Sequence, residues 1–167
     1  MKAYLRLAAM VAVSTVVMFG LMYLNTYNAD HVWFSQTRAW MAVIMGAVMT
    51  VIMLGFMGAM YSNRRLNIII LCGCGAAFLV SLWLVRSQET VGDVSYMKAM
   101  IPHHSIAIMT SERAHIRDPR VRKLADGIIR AQVREIAEME QLIADLRNKP
   151  APADAPDLPP DNRRLAQ

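Results

Sequence analysis

Residues 39–61 read AWMAVIMGAVMTVIMLGFMGAMY, a stretch without a single charge. A helix needs about 20 apolar residues to cross a bilayer, so this segment alone predicts a membrane-spanning helix. Outward from it, Leu7–Leu24 and Leu66–Val85 are equally free of charged residues. The expected fold is therefore all-α, with three transmembrane helices in residues 1–86. The first run has the position of a signal peptide, but it is long and lacks a small-x-small cleavage site, so it reads as a retained span. Apolar residues make up 55% of the 167, which agrees with a chain largely solvated by lipid.

The connections set the orientation. Lys2 and Arg6 precede the first span, and Arg64 and Arg65 separate the second from the third. Positive residues favour the cytoplasmic side, which puts the N-terminus inside and everything after Arg86 outside. Of the formal charge of +5, residues 1–85 carry +4, residues 86–149 carry +2 and the tail carries −1. Topology accounts for most of the excess, so no nucleic-acid partner is inferred. The spans hold no acid, base or histidine, which argues against a proton-coupled pump.

Beyond the linker Ser87–Gly92, residues 93–148 carry two helical patterns. Asp93 or Ser95 is positioned to cap the first, which runs to about Ile116. Asp118-Pro119 then supplies an N-cap and a proline at the first helical position. In the second pattern Val121, Leu124, Ile128, Ile136, Met139, Leu142, Ile143 and Leu146 keep helical spacing. A short connection makes the two helices antiparallel neighbours, a helical hairpin. Residues 149–167 are rich in proline and cannot bury a core, so they are expected to be extended or disordered. Two helices cannot enclose their own apolar stripes. A second copy, another protein or the membrane face is expected to supply the missing layer.

The hairpin opens with Met97-Lys98-Ala99-Met100-Ile101-Pro102-His103-His104, two thioethers and two imidazoles within eight residues. That donor set suits copper, above all Cu(I). At 100° per residue, Met97, Met100 and His104 share one stripe with Ile108, Ser111 and His115. His103 lies at its edge, and Met109 projects to the other side. Pro102 removes a backbone hydrogen bond and bends the helix, letting the two histidines converge. On the second helix Gln132 and Glu135 interrupt the apolar stripe. A metal-bound histidine usually donates its other N–H to such a group, which makes Glu135 the expected acceptor for a histidine of the first helix.

Three further features read more simply. Met41, Met45, Met49, Met53 and Met57 recur every fourth residue, with Met60 after them. They form an apolar packing stripe or, alternatively, a path for Cu(I). Cys72 and Cys74 point roughly 200° apart on a helix, cannot bond to each other there and read as small apolar residues beside Gly73 and Gly75 or, alternatively, as a thiolate relay for a soft metal ion. His31, beside Asp30 in the outer loop, reads as solvated or, alternatively, as an accessory metal ligand.

Met97-x-x-Met100-Ile-Pro-His103-His104-x-x-Ala107, then Asp118-Pro119-x-Val-Arg-x-Leu-Ala125, Ile128-Ile129-x-x-Gln132-x-x-Glu135-Ile136 and Met139 resemble the family of domains of unknown function numbered 305. The resemblance covers about residues 93–146. It implies a ferritin-like helical bundle, here only half of one, outside a bacterial cytoplasmic membrane, with copper bound through Met and His in some members. By that likeness Met97, Met100, His103, His104 and Met109 become ligand candidates faced by Gln132, Glu135 and Met139. Met109 falls one position earlier after the histidine pair than in many members. The expected function is membrane-anchored capture or buffering of Cu(I), with no catalytic step. A homodimer or other oligomer would complete the bundle, and a copper-handling protein would be the partner. The alternatives are a structural subunit whose hairpin docks a partner and, third, a ferritin-like metal oxidase. The oxidase fits poorly, because only Glu135 and Glu112 offer inward carboxylates and no Glu-x-x-His motif is present.

Overall fold

The computed structural model describes residues 2–152 and 154–158. It is all-helical: α1 (Lys2–Leu21), α2 (Gln36–Phe56), α3 (Arg64–Ser87), α4 (Asp93–Arg113) and α5 (Pro119–Asn148), with short 3-10 turns at Ala29–His31 and Gly58–Met60. The first three are long and apolar enough to cross a membrane. Residues 150–152 and 154–158 have no helix or strand; the remainder of the expected disordered tail, residues 153 and 159–167, lies outside the described residues.

Side-chain caps set where the helices begin. Ser35 accepts the Arg38 N–H at 3.3 Å, Asn63 that of Leu66 at 3.1 Å and Asp118 that of Arg120 at 2.8 Å. Each satisfies one of the donors that a helix N-terminus leaves free. The Arg120 side chain also bonds the Asp118 carboxylate, and these bonds hold its pKa below the ordinary value. Neither Asp93 nor Ser95 caps α4. Gly92 is its N-cap, in an extended conformation with no side-chain bond. At the other end of α3, Gln88 enters the left-handed region at φ 56° and turns the chain toward α4.

α2 ends at Phe56 rather than near residue 61, because Gly58–Met60 tightens into a 3-10 turn. Met57 and Met60 therefore lie past the helix and do not extend a continuous ladder. The turn folds Tyr61 back against Leu7, where it is 3% exposed, with Met53 and Met57 packed around them. Tyr4 closes the same end: its hydroxyl donates to Asn67 Oδ1 at 2.8 Å, and the Asn67 amide donates to the Tyr61 carbonyl at 2.8 Å.

α2 is the central helix of the three, packed on both α1 and α3. Gly46 makes the approach to α1 possible, since a Cβ there would collide with the Thr15 hydroxyl. Small residues of this kind let helices pack closely in lipid. Gly46→Ala is expected to lower the thermal midpoint, overpacking costing about 1–3 kcal/mol, and Thr15→Ala in the same chain is expected to restore it. A Gly46→Ala midpoint equal to wild type in one detergent would count against this contact.

α4 and α5 form the hairpin, with a core of Met97, Ile101, Ile108, Ile136, Met139 and Ile143. The chain itself supplies part of the layer that the hairpin lacks. Residues 22–35, here called the strap, cross from α1 to α2 and lie against it. Tyr27 donates its backbone N–H to Ser105 Oγ at 2.7 Å, and His31 Nδ1 lies 2.9 Å from the same oxygen. Ser105 is fully buried. With Tyr27 donating to its oxygen, its own hydroxyl hydrogen is satisfied by donating to His31 Nδ1. His31 is thus a structural partner of Ser105 rather than a solvated side chain. The Glu112 carboxylate beside the Tyr27 hydroxyl holds the phenol pKa above its usual value. Trp33 packs on the hairpin core, with the Arg147 guanidinium 5.7 Å above its ring, within cation–π range.

Candidate metal centre

An open groove of about 480 Å³ runs between α4 and α5, and four of the sequence-predicted site residues line it: Met97, His104, Glu135 and Met139. Met97 and Met139 are buried, at 6% and 9% exposure, and form both the groove wall and the hairpin core. They reach it because residues 97, 101, 104 and 108 return to one face of α4, and 132, 135, 139 and 143 to one face of α5.

His104 is fixed by a single bond. Its Nε2 lies 2.8 Å from Glu135 Oε2, and the ring is 13% exposed against 41% for the carboxylate. An ionised carboxylate can only accept, so Nε2 carries the hydrogen. The Gln132 amide reaches the same Oε2 at 3.4 Å. In the neutral imidazole this leaves the lone pair on Nδ1, which is buried and has no hydrogen-bond partner. A buried acceptor without a donor is costly. Second-coordination-sphere bonding of this form, one ring nitrogen held by a carboxylate and the other bare, is how histidine is presented to a metal.

The other candidates lie elsewhere. His103 is exposed, its ring centroid 6.2 Å from that of His104. α4 remains helical through the buried Pro102, so His103 stays one helical step round from the groove and does not converge on it. Met100 is partly buried against the hairpin core, and Met109 is also partly buried; neither lines the groove. Among the described residues no group of three His, Cys, Asp or Glu side chains is arranged to hold a metal. Asp93, Tyr96 and Glu138 also line the groove. Sequence reasoning missed them, and their only signal was helical register with Met97 and Glu135. Cys72 and Cys74 are both free, Cys72 exposed and Cys74 partly buried.

Fold and groove together describe a helical hairpin carried on three apolar helices. Residues 91–164 match the family described as "Domain of unknown function (DUF305)". The match takes in α4 and α5 and leaves out α1–α3 and the strap. The chain is 37% identical over 75 residues to an uncharacterized protein of Acanthamoeba polyphaga mimivirus, an alignment covering 42% of this chain and 49% of that protein. The chain thus spans about half the length of this curated relative. No solved structure matches it.

Proposed function

We propose that the protein is a membrane-anchored binding protein that captures or buffers Cu(I) outside the cytoplasmic membrane, with α1–α3 as its anchor. The positive residues Lys2, Arg6, Arg64 and Arg65 support an N-terminus inside and a hairpin outside. The observation that carries the reading is His104: its Nε2 is committed to Glu135, its Nδ1 is buried without a partner among the described residues, and the residue lines the same groove as Met97 and Met139. Imidazole nitrogen and thioether sulfur are donors suited to Cu(I). In this reading His104, Met97 and Met139 hold the ion and Glu135 fixes the imidazole. His103 and Met100 lie next along α4 and serve as accessory donors during loading. No bond is made or broken in the cargo, so the reading assigns no catalytic residue.

The test is a Cu(I) competition titration of the full chain in detergent, comparing His104→Ala with His103→Ala. Retention of one Cu(I) per groove, lost in His104→Ala and largely kept in His103→Ala, is the expected result. Equal retention by wild type and by a chain lacking both histidines would overturn it.

A further inference from the structure

The groove extends beyond the residues assigned to copper, to Asp93, Tyr96, Glu138, Leu142 and Leu146. Asp93 and Leu146 stand at one end, His104 and Glu135 at the other. Asp93 to His104 along α4 and Glu135 to Leu146 along α5 are each eleven residues of helix, about 16 Å at 1.5 Å per residue. The floor is apolar, made of Met97, Met139, Leu142 and Leu146, and the rim carries the carboxylates Asp93, Glu135 and Glu138. Residues 86–149 hold eleven Lys and Arg against nine Asp and Glu, yet none of those bases lines the groove. No strap residue lines it either, and Tyr96 and Leu142 remain 55% and 44% exposed. A long apolar trough between two antiparallel helices is the shape that receives a third helix, and its charge selects a basic one.

We propose that this groove is the docking seat for an amphipathic helix of a partner protein, about three turns long, with an apolar stripe flanked by Lys or Arg. The stripe fills the trough over Leu142 and Leu146, and the basic flanks pair with Asp93 and Glu138. The seat does not depend on copper, so it is tested with a Cu(I) chelator present.

The probe is a fluorescent 14-residue Leu/Lys amphipathic peptide, titrated by anisotropy onto the full chain in phosphatidylcholine nanodiscs, with a Leu/Glu peptide of the same pattern beside it. The Leu/Lys peptide is expected to bind and the Leu/Glu peptide not to. Asp93→Lys with Glu138→Lys is expected to weaken binding at least about tenfold, as is Leu142→Asp. Glu140→Lys, which makes the same charge change on an exposed position outside the groove, is expected to leave binding unchanged. Because the charge-reversal pair and Leu142→Asp alter exposed positions, unchanged circular dichroism separates loss of docking from loss of fold. Equal binding of both peptides, or undiminished binding to the charge-reversed chain, would overturn the proposal. So would a wild-type dimer that Leu142→Asp converts to monomer, since a second copy would then fill the groove. Loss of copper retention with peptide binding intact would sink the copper reading alone.

Discussion

Glu135→Ala is expected to weaken Cu(I) retention by about 10–100-fold, the usual cost of removing a group that orients a metal-bound histidine. The carboxylate holds His104 through one bond of 2.8 Å, and among the described residues that ring has no other hydrogen-bond partner. Without it Nε2 turns to water, and the imidazole loses both its orientation and the basicity that an anionic acceptor lends it. The side chain is 41% exposed, so its removal leaves no large cavity and the helical content should not change. Glu135→Gln keeps an acceptor and is expected to fall between wild type and alanine. Glu138→Ala removes a carboxylate from the same groove without touching His104 and is expected to stay close to wild type, which separates orientation from general negative charge. An unchanged affinity for Glu135→Ala in the competition titration would remove Glu135 from the site.

Ile101→Ala should have the largest effect on the fold. Ile101 is fully buried, in one cluster with Met97, Met139 and Ile143. Truncating a buried isoleucine costs about 2–5 kcal/mol, the upper end applying where neighbours cannot close the gap. α4 and α5 are both held from behind here, by the strap and Trp33, so collapse is restricted. Amide exchange in α4 and α5 should quicken at least about 30-fold, since every 1.4 kcal/mol is a factor of ten, while α1–α3 remain protected. Ile101→Val should cost about 0.5–1.5 kcal/mol. Slow exchange throughout α4 in Ile101→Ala would show that the hairpin core carries less of the stability than its burial indicates.

The helices were legible because each rests on a local signal: uncharged length for α1–α3, and Asp118-Pro119 with apolar spacing for the hairpin. Their ends were less so. α2 stops at Phe56, and Gly58, directly after the C-cap Met57, is the local sign of it that the long uncharged run obscured. Four of the groove's nine lining residues were legible, since Met97, His104, Glu135 and Met139 follow from register. Register also sets His104 on the α4 stripe and His103 at its edge; what it did not give is that α4 stays helical through Pro102, so that the two histidines do not converge. The strap was not legible. Tyr27, His31 and Trp33 follow neither a 3.6-residue nor a two-residue period, and Tyr27 and His31 find Ser105 at sequence separations of 78 and 74. Pattern reading has no access to contacts at that distance.

That separation has a consequence for how the chain is made. The strap leaves the ribosome long before its seat exists, since Ser105 and Arg147 lie far downstream. At about 5–20 residues per second, the wait for α5 is on the order of ten seconds. During that interval Trp33 has no core to enter and Tyr27 no serine to hold. Assembly of the hairpin then removes an aromatic surface that has stood open since early in synthesis. Variants that slow the hairpin, Ile101→Ala among them, prolong that exposure, so their first visible defect should be lower yield from cells, ahead of any change in the purified protein.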